Sequence, residues 1–460
     1  MASPRVSLAT GEEVVPTVTS DLVDGIENAI ESGDEAAARS AAAALHAADL
    51  ADLLLRLRPE SRPALVRILG DGLDPDVFGY LDEDVRDALV AQIGPTATAK
   101  LVAELDSDDA VYVVEDLDAE QKRRVLEALP LGDRALIEQG LAFKEESAGR
   151  LMQRELVAVR EFWTVGETID YMRASADLPD DFYNIFVVDG QWRPIGVVPL
   201  SRLMRTRRPV TVADIMFRDV RTVSVDTDQE EVAFLFRRYG LVEVPVVEAK
   251  GRLVGVVTFD DLVEVVEEKA SEDALHLAGV EADAPARDVL RTAASRFTWL
   301  FVNLATAILA SAVIALFEET IERTVALAVL MPIVASMGGN AGTQTLAVAV
   351  RALATRQVLG GEGWRLIAKE TMVGTLNGAS FALVCGAVAW AWTGSVAIGS
   401  IMGMALVANL VVAGLAGAAI PLALERAGVD PAIASGVFLT TVTDVVGFFA
   451  FLALATLLLL

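Results

Sequence analysis

The chain begins in short amphipathic periods and ends in long apolar ones. Between about residues 21 and 145, apolar positions recur at three- and four-residue spacing in brief runs, LHAADLADLLLRL, SRPALVRILG, DVRDALVAQIG and AEQKRRVLEAL. That period belongs to helices burying one stripe each. Starts such as LRPES, LDEDV, LDSDD and LDAEQ recur at intervals of roughly two dozen residues or fewer, which suits stacked helix pairs. An all-α superhelical domain is therefore expected over 21–145, and the aperiodic residues 1–20 are expected to be disordered.

The period then shortens and the sequence repeats itself. LMQRELVAV at 151–159 matches IMFRDVRTV at 215–223, and GQWRPIGVVPLSRLM at 190–204 matches AKGRLVGVVTFDDLV at 249–263. β-Branched runs such as FVV and PVV between turn residues mark strands, and apolar spacing after Thr164 and Asp228 marks helices. Each copy reads strand, helix, strand, strand, helix, which predicts an α/β pair at 146–209 and 210–272.

After an expected connecting helix at 273–297, the apolar runs lengthen. Five of them, at about 298–317, 324–350, 371–392, 399–423 and 433–458, meet the ~20 residues needed to cross a bilayer. The polar joints are EETIER at 318–323, the basic stretch 351–370, TGSVAIG at 393–399 and ERAGVDP at 425–431. Arg287, Arg291 and Arg296 precede the first span. Arg351, Arg356, Arg365 and Lys369 lie between the second and third, and Arg426 between the fourth and fifth, whereas the opposite loops hold only Arg323. The excess of basic residues on one side predicts a cytoplasmic N-terminal region and Leu460 outside.

Charge sharpens this division. The chain is 53% hydrophobic, yet it holds 65 acidic and 38 basic side chains for a net charge of −27. From Trp299 onward there are only six basic and eight acidic residues, so nearly all the net charge belongs to the part before the membrane block. Such acidity repels nucleic acid and attracts cations. Cys385 is the only cysteine and His46 and His276 the only histidines, both expected at solvated positions. Neither a disulfide nor a thiolate cluster can form, so a bound metal would be a hard, oxygen-liganded ion such as magnesium or calcium. No phosphate-cradling loop or Cys/His pair suggests an enzyme, and the polar N-terminal stretch has no signal-peptide pattern.

Two spans carry chemistry beyond anchoring. TTVTDVVGFF places Asp444 well inside the fifth, where a carboxylate must be neutralised, hydrated or paired. A cation pathway and a protonated structural aspartate are the two readings, and no basic residue lies within a span to pair it. In the second, PIVASMGGNAGTQTLAVAV combines Pro332 and Gly338, Gly339 and Gly342 with the oxygens of Asn340, Thr343, Gln344 and Thr345. Irregular backbone lining a water-filled path is expected there, with a packing kink as the alternative. Asn377 and Asn409 read as interhelical hydrogen bonds. Before the membrane, Asp260, Asp261, Glu264, Glu267, Glu268, Glu272 and Asp273 form an acidic run, and Asp76, Asp106, Asp108 and Asp109 stand at helix corners of the N-terminal array. These are either solvated faces or two surfaces that divalent ions bridge.

The internal repeat resembles a tandem CBS (cystathionine-β-synthase) pair. Such pairs hold the ribose of an adenine nucleotide with a Thr and an Asp three residues later. The second copy has Thr258 and Asp261 there, while the first has Pro199 and Arg202. The resemblance thus implies ATP at one site, or a pair that dimerises without nucleotide.

Taken together, HAADLAD, the CBS pair, the connecting helix, five spans, PIVASMGGNAGTQ and TDVVG make the whole chain similar to the MgtE magnesium channel family. The resemblance implies a homodimer in a bacterial inner membrane with the pore on its axis, closed by cytoplasmic Mg2+. It implies Asp444 as the pore carboxylate, Gly338, Gly339, Asn340 and Gly342 at the narrowing, and Asp430 near the cytoplasmic mouth. Sensor carboxylates would be Asp76, Asp108, Asp228, Glu230, Asp261, Glu264, Glu272 and Asp273. Tyr112, Gly240 and Lys269 stand where the family often has acids. A divalent-cation carrier driven by protons or sodium, and a membrane-tethered CBS sensor, are the rival readings.

Overall fold

The computed structural model describes residues 18–115, 117–175, 178–179, 181–277, 280, 289–356 and 363–459. It divides into a unit ending at Val266 and a unit beginning at Glu267. The stretch expected to be disordered lies outside the described residues except for its last three, and Thr19 already caps the first helix by accepting from the Leu22 N–H. Arg287 and the Arg291 side chain also lie outside the described residues.

Residues 20–141 form short helices, in agreement with the apolar period. Their stripes meet in one core that includes Leu50, Leu53, Leu54, Leu57, Leu65, Leu69, Phe78, Leu89 and Val114. The buried Glu27 is fully employed: it accepts from the Arg58 N–H (2.8 Å) and the Ser61 hydroxyl (2.7 Å), and pairs with the Arg58 guanidinium at 3.2 Å. A carboxylate can be buried at this position because each oxygen is hydrogen-bonded.

The repeat folds as two three-stranded sheets of the same topology. In the first, β1 (Ala158–Arg160) runs parallel to β2 (Asn184–Val188), which pairs antiparallel with β3 (Pro194–Pro199). The second has β4 (Val223–Ser224), β5 (Glu243–Val247) and β6 (Leu253–Thr258) in the same relation. Even the register shift recurs, between Val187 and Val188 in one and between Val246 and Val247 in the other. A capping box, Thr164 with Glu167, starts the helix Val165–Ala174, and Asp228 caps Gln229–Tyr239.

The segment that leads into each copy crosses the other copy. Gln153 bridges Val256 of β6, and Phe217 bridges Val197 of β3. Gly255 and Gly196 lie under these crossings, where a Cβ would meet the Gln153 carbonyl at 2.7 Å and the Met216 sulfur at 2.3 Å. Ala148 and Met152 accordingly belong to the core of the second copy, and Ile215 and Met216 to that of the first. Glu243 adds a polar link by accepting from the Tyr183 and Asn184 N–H groups.

The helix that follows β6 is continuous from Phe259 to Leu277. Among the described residues of the second unit, five helices are long and apolar enough to cross a membrane: Thr292–Ala315, Ala326–Ala354, Gly363–Thr393, Val396–Arg426 and Ser435–Leu459. They extend past the apolar runs because helical hydrogen bonding continues into the flanking polar residues, and the joint EETIER is itself a short helix, Glu318–Arg323. The fourth span is central. Glycine lets it touch the third backbone to backbone, since a Cβ on Gly374 would lie 2.4 Å from the Leu410 carbonyl and one on Gly414 2.5 Å from that of Glu370.

Candidate cation pathway and sensor surface

The second span is one uninterrupted helix, Ala326–Ala354, through Pro332 and all three glycines. This corrects the expectation of irregular backbone. Tight packing gives the reason: a Cβ on Gly338 would lie 2.2 Å from Asn409 Nδ2, and one on Gly342 3.0 Å from a Leu439 methyl. Asn409, fully buried on the fourth span, donates to the Val334 carbonyl at 2.9 Å and also fills the space beside Gly447 of the fifth. It ties three spans together as the interhelical hydrogen bond read from the sequence.

The helical period splits the residues assigned to the narrowing. Gly338 and Gly342 face the bundle, whereas Asn340 is exposed and Gly339 has open space around it. Asn340 shares its face with Ser336, Thr343 and Gln344, all exposed. Asn340 Nδ2 donates to Ser336 Oγ at 3.3 Å, and the Thr343 hydroxyl donates to the Gly339 carbonyl at 2.9 Å. A membrane helix thus carries a polar stripe that its own bundle does not cover. Asp444 is half-buried on the fifth span, roughly 20 Å along the helix from Pro431 at 1.5 Å per residue. Asp430 caps the start of that helix through the Ala432 N–H (2.7 Å).

His276 is a correction. Its side chain is only 10% exposed, with Nδ1 3.4 Å from Asp430 Oδ2 and Nε2 3.8 Å from Glu272 Oε1. Acidic neighbours in the sequence suggested a solvated helix face, but one of its acidic partners is 154 positions away, beyond the reach of any local pattern. Asp273 is held above the usual carboxylate range by desolvation and then by Asp430 and Glu272. Lys269 donates to Glu272 at 2.8 Å, a built-in cation within the acidic run.

In the first unit, the acidic corners of the helical array face the start of the helix Phe259–Leu277. Desolvation raises Asp108 well above its ordinary range, with Asp261 and Asp109 adding to the effect. Asp109 is pushed up to about 7 by desolvation and then by Asp76, Asp106, Asp260 and Glu264. Asp261 is raised by desolvation, opposed by the Thr258 hydroxyl, which donates to it at 2.6 Å. The nucleotide pair Thr258 and Asp261 is thus brought together, and Asp261 belongs to both candidate sites. Asp109 and Asp260, which stand in the acidic runs but not in the sensor set that the resemblance implied, complete the facing surfaces.

Asp228 and Glu230 lie apart from this description. Asp228 caps its helix by accepting from the Glu230 N–H at 2.9 Å, and Gly240, at φ 62°, ends that helix in a left-handed conformation. Tyr112 stacks on the guanidinium of the buried Arg86, 4.5 Å from its ring centroid. Among the described residues, no three acidic, His or Cys side chains converge to hold a metal. Like charges held in one low-dielectric place keep apart until a cation neutralises them.

Known proteins match this organisation part by part. The model of the MgtE divalent cation transporter family matches residues 331–454, that of the MgtE intracellular N domain 45–146, and CBS domains 148–208 and 212–268. The magnesium transporter MgtE of Thermus thermophilus is 34% identical over 95% of this chain and 98% of its own. The chain belongs to the MgtE family. The MgtE of Bacillus subtilis is 29% identical over 83% of this chain and 85% of its own. A solved cytosolic domain of the Mg2+ channel MgtE in complex with ATP is 33% identical, covers 53% of this chain and 99% of that one, and superposes with a TM-score of 0.51. As an MgtE protein, the chain is a multi-pass membrane protein with a helical N-terminal domain and a CBS pair.

Proposed function

We propose that this chain is a homodimeric channel for Mg2+ uptake, closed by cytoplasmic Mg2+. The observation that carries the reading is the uncovered polar stripe of Ser336, Asn340, Thr343 and Gln344 in a unit whose fifth span carries Asp444. A polar helix face exposed at membrane depth is tolerated where it meets protein or water. Two copies meeting on this face would line one path with hydroxyls, amides and two Asp444 carboxylates. Magnesium sheds its water reluctantly, so few carboxylates and several neutral oxygens suit a largely hydrated ion. The magnesium transporter relatives supply the substrate.

Closure follows from the same electrostatics. Asp76, Asp108 and Asp109 face Asp260, Asp261 and Glu264, and bound Mg2+ would replace repulsion by attraction and draw the surfaces together. Near the membrane, Glu272 and Asp273 with Asp430 would take Mg2+ at the cytoplasmic mouth, with the N-terminus in the cytoplasm and Leu460 outside. Sites that bind better in the compact state shift the population toward it. Asp228 and Glu230 are proposed as further sensor acids, and Thr258 with Asp261 as the ATP site, in keeping with the ATP-bound cytosolic domain of the relative.

Mg2+ flux into vesicles containing the purified protein tests the pore. Wild type should conduct, and Asp444→Asn should lose most of the flux while keeping its thermal stability. Persistent flux in Asp444→Asn overturns the assignment. Uptake that follows an imposed proton or sodium gradient, with no single-channel current, would establish a carrier instead.

A further inference from the structure

A cavity lies among the second, third and fourth spans. It is partly open, has a volume of about 200 Å3 and is lined by Gln344, Thr345, Glu370, Asn377 and the glycine faces of Gly374 and Gly414. The sequence pattern assigned Glu370 to a polar joint. Its backbone continues the third long helix, Gly363–Thr393, and the residue is only 6% exposed, on a helix that Gly414 allows to approach closely. We propose that this cavity is a second intramembrane cation site, separate from Asp444, and that it takes a monovalent metal ion with part of its water.

The donor set defines the class of ligand. One carboxylate, two carboxamides and a hydroxyl supply oxygens only, which suits a hard cation. The volume admits several waters, so the ion keeps part of its shell. Charge decides between monovalent and divalent. Among the described residues of the lining Glu370 is the one ionisable side chain, so a single carboxylate balances a monovalent ion where a divalent ion would need two. Lys369 pairs with one carboxylate oxygen at 3.6 Å from outside the lining, on a side chain that is 69% exposed, so a bound ion would compete with it for Glu370.

The test is thermal unfolding of the full-length protein in lipid nanodiscs with EDTA, at fixed pH, as NaCl replaces choline chloride at constant ionic strength. Sodium should raise the Tm and saturate, Glu370→Gln should abolish the response, and Asp444→Asn should retain it. Should Glu370→Gln fail to fold, Asn377→Leu, which fills the cavity and leaves the charge, should lose the response as well. An equal effect of potassium supports the site without size selection. No difference between sodium and choline in wild type, or an undiminished response in Glu370→Gln, overturns the proposal.

Discussion

Gly338 and Gly339 are adjacent in sequence and opposite in environment. At Gly338 a methyl would lie 2.2 Å from Asn409 Nδ2, while at Gly339 it would meet nothing within 4 Å. Gly338→Ala should therefore cost about 1–3 kcal/mol, the usual penalty for overpacking. Gly339→Ala should leave stability unchanged or raise it by up to ~1 kcal/mol, because alanine is the better helix former. If Gly339 lines the path, that variant lowers flux without lowering the Tm. Unfolding in detergent beside flux in vesicles separates the two effects, and equal Tm losses would refute the split. Asn409→Ala removes one interhelical hydrogen bond, and double-mutant measurements in membrane proteins put such bonds at roughly 0.6–1.7 kcal/mol. A larger loss is expected here, since the cavity left beside Gly338 and Gly447 adds to it.

At the scale of elements, the facing acids set a pH dependence whose sign is fixed. Asp109 keeps its proton up to about 7 in the folded chain, against roughly 4 for an ordinary carboxylate. Between these values the native state binds more protons than the unfolded one, so stability falls as pH rises through that window. Asp108 and Asp261 are shifted in the same direction. In EDTA the Tm should drop from about pH 5 to 8, and millimolar Mg2+ should flatten the drop because the ionised acids are its ligands. A flat profile in EDTA would contradict the buried, facing placement. Lys269→Glu should turn a built-in counterion into a further acid, loosening the Mg2+-free state and steepening protection from protease as Mg2+ is added. The helices, the two sheets and the five spans were all legible in the sequence, because period and span length are local properties. Asn409 between two glycines, His276 against Asp430, and the burial of Glu370 were not, because each depends on a partner distant in sequence.

For the whole molecule, the open question is what covers the polar stripe. Thr343 is satisfied within its own helix and Asn340 only in part, and lipid offers no hydrogen bonds to the amide atoms left over on Asn340 and Gln344, so a single bundle exposes them to hydrocarbon at a cost. A second copy meeting the same face removes that cost and needs no other component, since a two-fold interface brings one patch against itself. Asn340 of one protomer would then lie near Asn340 of its partner across the axis. Cys385 is the sole cysteine, so a Cys385→Ala background isolates any introduced thiol. Asn340→Cys in that background should form a covalent dimer on mild oxidation in native membranes, and Mg2+ flux should fall as the link forms. Val384→Cys, on the exposed face of the third span, should remain monomeric under the same conditions. Equal cross-linking at both positions would mean random collision. Cross-linking at Val384→Cys alone would place the partner on the third span and leave the polar stripe to face some other water-filled surface.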